Sequence, residues 1–199
     1  MPFANLLSSH SGRFILLAML CCVSLPAPSP AQAIDELAEV SRLHAAGDPG
    51  AALQRAERFL VTRPRDPQMR FLRAVILADT GRSAEAIAEL EKLTQDYPDL
   101  PEPHNNLAVL HAAGGHHAQA RGELEQALRL APGYATAHEN LGDVQAALAR
   151  DSYAAAVRLE PGRPGISAKL ALVRQLLPSV RMSPTPSPTG ASAAASATR

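Results

Sequence analysis

Residues 76–98 read ILADTGRSAEAIAELEKLTQDYP, and residues 110–132 read LHAAGGHHAQARGELEQALRLAP. The second stretch starts 34 positions after the first. At that offset Gly81 falls on Gly115, Ala86 on Ala120, Leu90 on Leu124 and Pro98 on Pro132. One further step back brings in Gly47, Ala52 and Pro64. Three residue types sharing one period in one phase mark an internal repeat, and periods of this length belong to solenoids.

Each type has a physical role. In residues 67–100, Phe71, Ala74, Val75 and Ala78 recur at three- and four-residue steps, which makes a helical stripe. Gly81 stops that helix because it accepts a left-handed backbone. Ser83, with Glu85 two places on, reads as the N-cap of a second helix. Ala86, Leu90 and Leu93 form its apolar face, and Pro98 prevents continuation. Residues 101–134 repeat the pattern with Leu107, Ala108, Gly115, Ala120, Leu124, Ala127 and Pro132. Residues 33–66 do so more loosely, through Val40, Leu43, Gly47, Ala52, Phe59 and Pro64.

With these residues in place the chain resembles the tetratricopeptide repeat (TPR), a helix–turn–helix unit of about 34 residues with small side chains where its helices cross. The resemblance implies an all-α fold, a short right-handed α–α superhelix. The fourth unit, residues 135–161, is irregular. Pro132 to Pro161 is 29 positions, five short, and the missing part is the turn with its glycine. Leu141, Val144, Leu148, Ala155 and Leu159 keep a helical period across the gap, so we read one long helix rather than a hairpin. The stretch from Tyr134 to Val144, with the shortened unit after it, is similar to a group of secreted proteobacterial TPR proteins. Residues 166–177 form another amphipathic helix, with Ile166, Leu170, Val173 and Leu177 on one face. A solenoid's last unit needs a cover, and this helix suits that role.

The ends of the chain differ from its middle. Residues 1–33 contain Arg13, no acid, a 12-residue apolar run from Phe14 to Leu25, and Ala31-x-Ala33 at the exit. That is the form of a secretory signal peptide. Twelve residues are too few for a bilayer core that needs about 20. Cleavage after Ala33 is expected, an uncleaved anchor being the rival, and a periplasmic location follows with no stable membrane span in the mature chain. Cys21 and Cys22 would leave with the peptide. The TPR domain then covers 34–177, and residues 178–199, rich in Pro, Ser, Thr and Ala, read as a disordered tail.

Charge and motifs narrow the function. Lys plus Arg equals Asp plus Glu at 19 each, and the chain from residue 34 carries 18 against 19. That balance argues against nucleic acid as the main partner, because phosphate binding needs basic excess. The glycine-rich phosphate loops, the nucleophile elbow and the zinc-binding His-Glu-x-x-His are absent from the sequence. We therefore expect no catalysis, cofactor or metal. His104 and His111 lie two turns apart, about 10.5 Å, too far for two ligands each about 2.1 Å from one ion. His104 and His138 take the family's usual tryptophan place, where packing between helices is implied.

The resemblance also implies that the first helix of each unit lines a concave groove. Its lining would come from Gln68, Phe71, Leu72, Val75 and Asp79, then Glu102, Asn105, Asn106 and Val109, then Thr136, Glu139, Asn140 and Asp143. The alternative is that Phe71 and Leu72 are core and the remainder ordinary surface. Relatives that clamp a C-terminal carboxylate carry cations where this chain has Leu37, Glu102 and Asn140. Acids there repel a carboxylate, so a neutral or basic peptide or protein fits better, with self-association as a second mode. Glu89 and Glu123 fall in phase on the outer face.

Overall fold

The computed structural model describes residues 30–176, Met182 and Pro184. Most of the expected signal segment, Leu177 and most of the tail lie outside the described residues. The described residues form an all-α solenoid of eight helices: α1 Pro30–Ala45, α2 Pro49–Thr62, α3 Pro67–Asp79, α4 Ser83–Asp96, α5 Pro101–Ala113, α6 His117–Leu130, α7 Ala135–Leu159 and α8 Ile166–Leu176. Each packs on its neighbours in sequence, and the odd-numbered helices α1, α3, α5 and α7 also touch one another in order. This is the layered right-handed superhelix in which each unit meets only adjacent units.

The turn glycines explain the sharp reversals. Gly47, Gly81 and Gly115 have φ of +80°, +78° and +78°. Reversal lets the next amide return to the helix end, as Arg82 N–H does to the Leu77 carbonyl at 2.9 Å and His116 N–H to that of His111 at 2.8 Å. Such bonds satisfy carbonyls that the helix terminus leaves open. The starts are fixed differently from our expectation. Ser83 is the first helical residue of α4 and Arg82 its cap, without a side-chain capping bond. Arg82 instead pairs with Glu85 at 2.6 Å, which takes the carboxylate that a capping box would use. Side-chain capping occurs at Asp48 and Asp66, whose carboxylates accept from Ala51 N–H at 3.0 Å and Met69 N–H at 2.8 Å. Pro49 and Pro67 follow them, in the first turn where a missing N–H costs nothing.

The repeat-phase stripes form the core. Val40, Ala52, Ala56 and Phe59 meet Met69, Leu72, Ile76 and Leu77 in one cluster. Phe71, Ala74 and Val75 meet Leu90, Leu93 and Leu107 in the next. Ala108, Ala120, Leu124 and Ala127 meet Ala137 and Val144 in the third. α3 is buried on nearly every side because α1, α2, α4 and α5 all pack on it. The repeat phase put Ala120 at a helix crossing, and it is fully buried, whereas Ala112 is half-buried. Ala120→Leu should overpack that crossing at about 1–3 kcal/mol, lowering the melting temperature by roughly 3–10 °C. Ala112→Leu should shift it much less; equal melting temperatures in a calorimetric scan would disprove the phase.

The fourth unit is one unbroken 25-residue helix. Val144 and Ala147 bury within it, but Leu159 at its end is 83% exposed, outside the stripe that the sequence suggests. α8 lies against α7 through buried Leu170 with half-buried Ile166 and Val173, and leaves Leu172 and Leu176 exposed.

Candidate functional site

A stapling contact recurs within the hairpins and ties each unit's first helix to its second. Glu36 pairs with Arg55, Arg70 with Glu89, and His104 with Glu123, at 2.7, 2.6 and 2.7 Å. The sequence separation is 19 in all three pairs. Each ties the first turn or so of a unit's first helix to the middle of its second. Glu89 and Glu123 are therefore part of the scaffold and not free outer-face acids. Arg70 also reaches Asp96 at 2.6 Å. Burial opposes its charge, but the hydrogen bonds it donates to Asp96 and Glu89 outweigh that and hold its pKa above the usual arginine value. The fourth unit has no hairpin, so His138 has no such partner helix. It is exposed rather than packed, and its Nε2 donates to the Pro132 carbonyl at 2.9 Å.

The first-helix face carries the thirteen residues expected to line a groove, and they separate by burial. Gln68, Asp79 and Glu139 are exposed; Glu102, Val109, Thr136 and Asp143 are half-buried. Phe71, Val75 and Asn106 show only an edge to solvent. Leu72, Asn105 and Asn140 are fully buried, which corrects their reading as groove lining. Leu72 belongs to the first core cluster. The amides form a bridge: Asn140 Nδ2 donates to Asn105 Oδ1 at 2.9 Å, and Asn105 Nδ2 to Asn106 Oδ1 at 3.2 Å. Buried polar groups require such partners, so Asn105 and Asn140 join α5 to α7.

Between α5 and α7 lies a cleft of about 310 Å³. Val109, Ala112 and Ala113 line one wall, Asp143, Val144, Ala147 and Arg150 the other, with His117 and Met182 at its borders. Of these the repeat phase assigned only Val109 and Asp143 to the groove. Burial, then the neighbouring charge of Glu139, pushes the Asp143 carboxyl above its ordinary pKa. Arg150 pairs with Asp151 at 2.7 Å, and His117 stands 3.5 Å from the same carboxylate. Among the described residues no three of His, Cys, Asp and Glu come together as a metal site would need. No helix among them is long and apolar enough to cross a membrane.

A family model for the tetratricopeptide repeat matches residues 37–101 and 105–164. The chain belongs to the tetratricopeptide repeat family. Its units bear out the repeat period and the all-α solenoid. TPR solenoids are scaffolds for protein–protein interaction. A thermophilic TPR protein of Thermus thermophilus is similar in structure, with TM-score 0.55 and 28% identity over 72% of this chain and 81% of that one. MamA from Desulfovibrio magneticus RS-1 aligns with TM-score 0.54 and 19% identity over 76% of this chain and 89% of the other. An O-GlcNAc transferase of Thermobaculum terrenum aligns with TM-score 0.54 and 22% identity, over 62% of this TPR chain and 26% of the enzyme. This chain thus spans about a quarter of that enzyme's length. The likenesses to MamA and to the transferase, at their lower identities, concern the fold alone. No curated protein matches the sequence significantly.

Proposed function

We propose that this TPR protein is a non-enzymatic adaptor of the cell envelope, exported to the periplasm, which holds a neutral or basic peptide segment of a partner on its first-helix face. The observation that supports this reading is the cleft between α5 and α7. Its largely apolar walls suit side-chain burial; Arg150 in one wall is paired with Asp151, and Glu102, Glu139 and Asp143 give that end of the face an acidic border. Acids there disfavour a terminal carboxylate and favour a cation. The export part rests on Arg13, the short apolar run and Ala31-x-Ala33.

A second reading draws on the C-terminal end, where Leu159, Leu172 and Leu176 are exposed. Exposed apolar side chains near a solenoid end favour stacking of copies, so the protein would be a self-associating structural element. Isolation of the native protein from envelope extracts tests both. The adaptor reading expects a mass that begins at Ile34 and a co-purifying protein in fixed ratio, which would be either a client or a separately encoded enzyme. A chain that retains Met1 sinks export with cleavage. A pure oligomer of this chain, with no second protein, favours the structural reading instead.

A further inference from the structure

Asp143 and Arg150 stand seven residues apart on α7, and both line the cleft that α7 forms with α5. Two helical turns, about 10.5 Å along the axis, separate them on one face. Val144 and Ala147 lie between them on that wall, with Val109 and Ala112 opposite. The cleft thus has a carboxylate towards one end, a guanidinium towards the other and an apolar stretch between. We propose that it receives an extended peptide segment carrying a lysine or arginine and, three positions away, an aspartate or glutamate, with the cation at Asp143 and the acid at Arg150. This inference rests on the groove reading above and names the chemistry of its ligand.

Both charged ends can take a partner. Among the described residues no cation offsets the charge of Asp143; burial and then Glu139 push its carboxyl upward. A ligand cation supplies the missing charge, and its methylene stem can lie on Val109 and Val144 while its head stays at the border. Arg150 engages Asp151 through Nε at 2.8 Å and Nη2 at 2.7 Å, which leaves Nη1 for a second carboxylate. Asp151 also faces His117 at 3.5 Å, so its charge is shared. The irregular fourth unit creates this arrangement. α3 ends at Asp79 and α5 at Ala113, each before its turn glycine. Thirty-four residues beyond 113 is 147, where an ordinary unit would stop. Because the turn is missing, α7 runs on to Leu159 and keeps Arg150 in phase with Asp143. The volume selects the ligand's conformation. A helix about 10 Å across would need roughly 800 Å³ over that length, against the cleft's 310 Å³. In an extended polyproline-type chain, residues three apart share one side at a rise of about 9.3 Å, close to the spacing of the two charges.

The test uses the full chain and two hexapeptides with acetylated and amidated ends, Gly-Lys-Pro-Leu-Glu-Gly and Gly-Glu-Pro-Leu-Lys-Gly, which present the charge pair in the two chain directions. Titration followed by nuclear magnetic resonance should show at least one of them bound with Kd below about 1 mM. In that peptide, norleucine for the lysine and glutamine for the glutamate should each weaken binding at least about fivefold. Asp143→Asn should cost as much as removing the ligand's lysine and add nothing to that loss. Arg150→Gln should behave likewise towards the glutamate, whereas the crossed combinations should add. Additive losses in both matched pairs, or no binding of either hexapeptide, overturn the inference. If a variant loses its helical circular dichroism, the peptide substitutions on the wild-type chain decide it, and unchanged affinity there overturns it equally. Additive losses alongside partner capture that still depends on Glu139 and Asp143 would sink this inference and spare the groove. Matched couplings alongside capture indifferent to those two residues would sink the groove reading and keep the ligand chemistry.

Discussion

Arg70→Ala should cost about 3 kcal/mol of folding stability, whereas Arg55→Ala should cost less than about 1 kcal/mol. Both arginines sit in a staple across a hairpin, at the same sequence separation from their partners. Burial separates them. The Arg70 and Glu89 side chains are 8% and 13% exposed, against 37% and 36% for Arg55 and Glu36. Removing one member of a buried pair strands the other charge away from water, at about 3–5 kcal/mol. The lower end applies, because Arg73 still lies 3.2 Å from Glu89 and Asp96 is largely solvated. An exposed pair instead exchanges its bond for water. Chemical denaturation at two ionic strengths checks the contrast. The small Arg55 effect should fade with salt and the Arg70 effect should persist, since buried pairs are screened much less. Equal losses would mean that α3 and α4 do not seal Arg70 as described.

Glu139→Lys combined with Asp143→Lys should abolish capture of the protein's partner and leave the helical circular dichroism intact. These residues lie one turn apart on α7, one exposed and one half-buried at the border of the cleft. A fitting control makes the same charge change on the second helices. Glu89 and Glu123 cannot serve, because reversing them would break the staples to Arg70 and His104. Glu91 and Glu125 are exposed, and Glu125 meets exposed Arg121 at 3.5 Å, a pair worth little. Long-range attraction would weaken capture in both double variants and decline with salt beyond a screening length of about 8 Å. A direct contact would be lost in the first alone, at every salt concentration. Undiminished capture by the first variant would remove the first-helix face as the site.

The sequence alone determined what is periodic. Gly81 and Gly115 fixed the turns because only glycine adopts the reversed backbone without cost, and Ala120 fixed the crossing because nothing larger fits. The repeat spacing then implied the solenoid, and the five missing residues after Pro132 the single long α7. These features are local, or are repeated until local rules suffice. The tertiary structure decided what each polar residue does. Asn105 and Asn140 occupy groove positions by phase, yet the approach of α7 to α5 buries them against each other. Glu89 falls on the outer face by phase, yet Arg70 reaches across the hairpin and draws it inward. His138 has the place of a packing residue, and is exposed because the helix that would cover it does not turn back. Met182 has no periodic neighbour at all, yet it is half-buried against the cluster of Leu124, Ala137 and Val144. Period tells which face a side chain leaves from, while burial and pairing depend on the distance to another helix, which no single stretch of sequence contains.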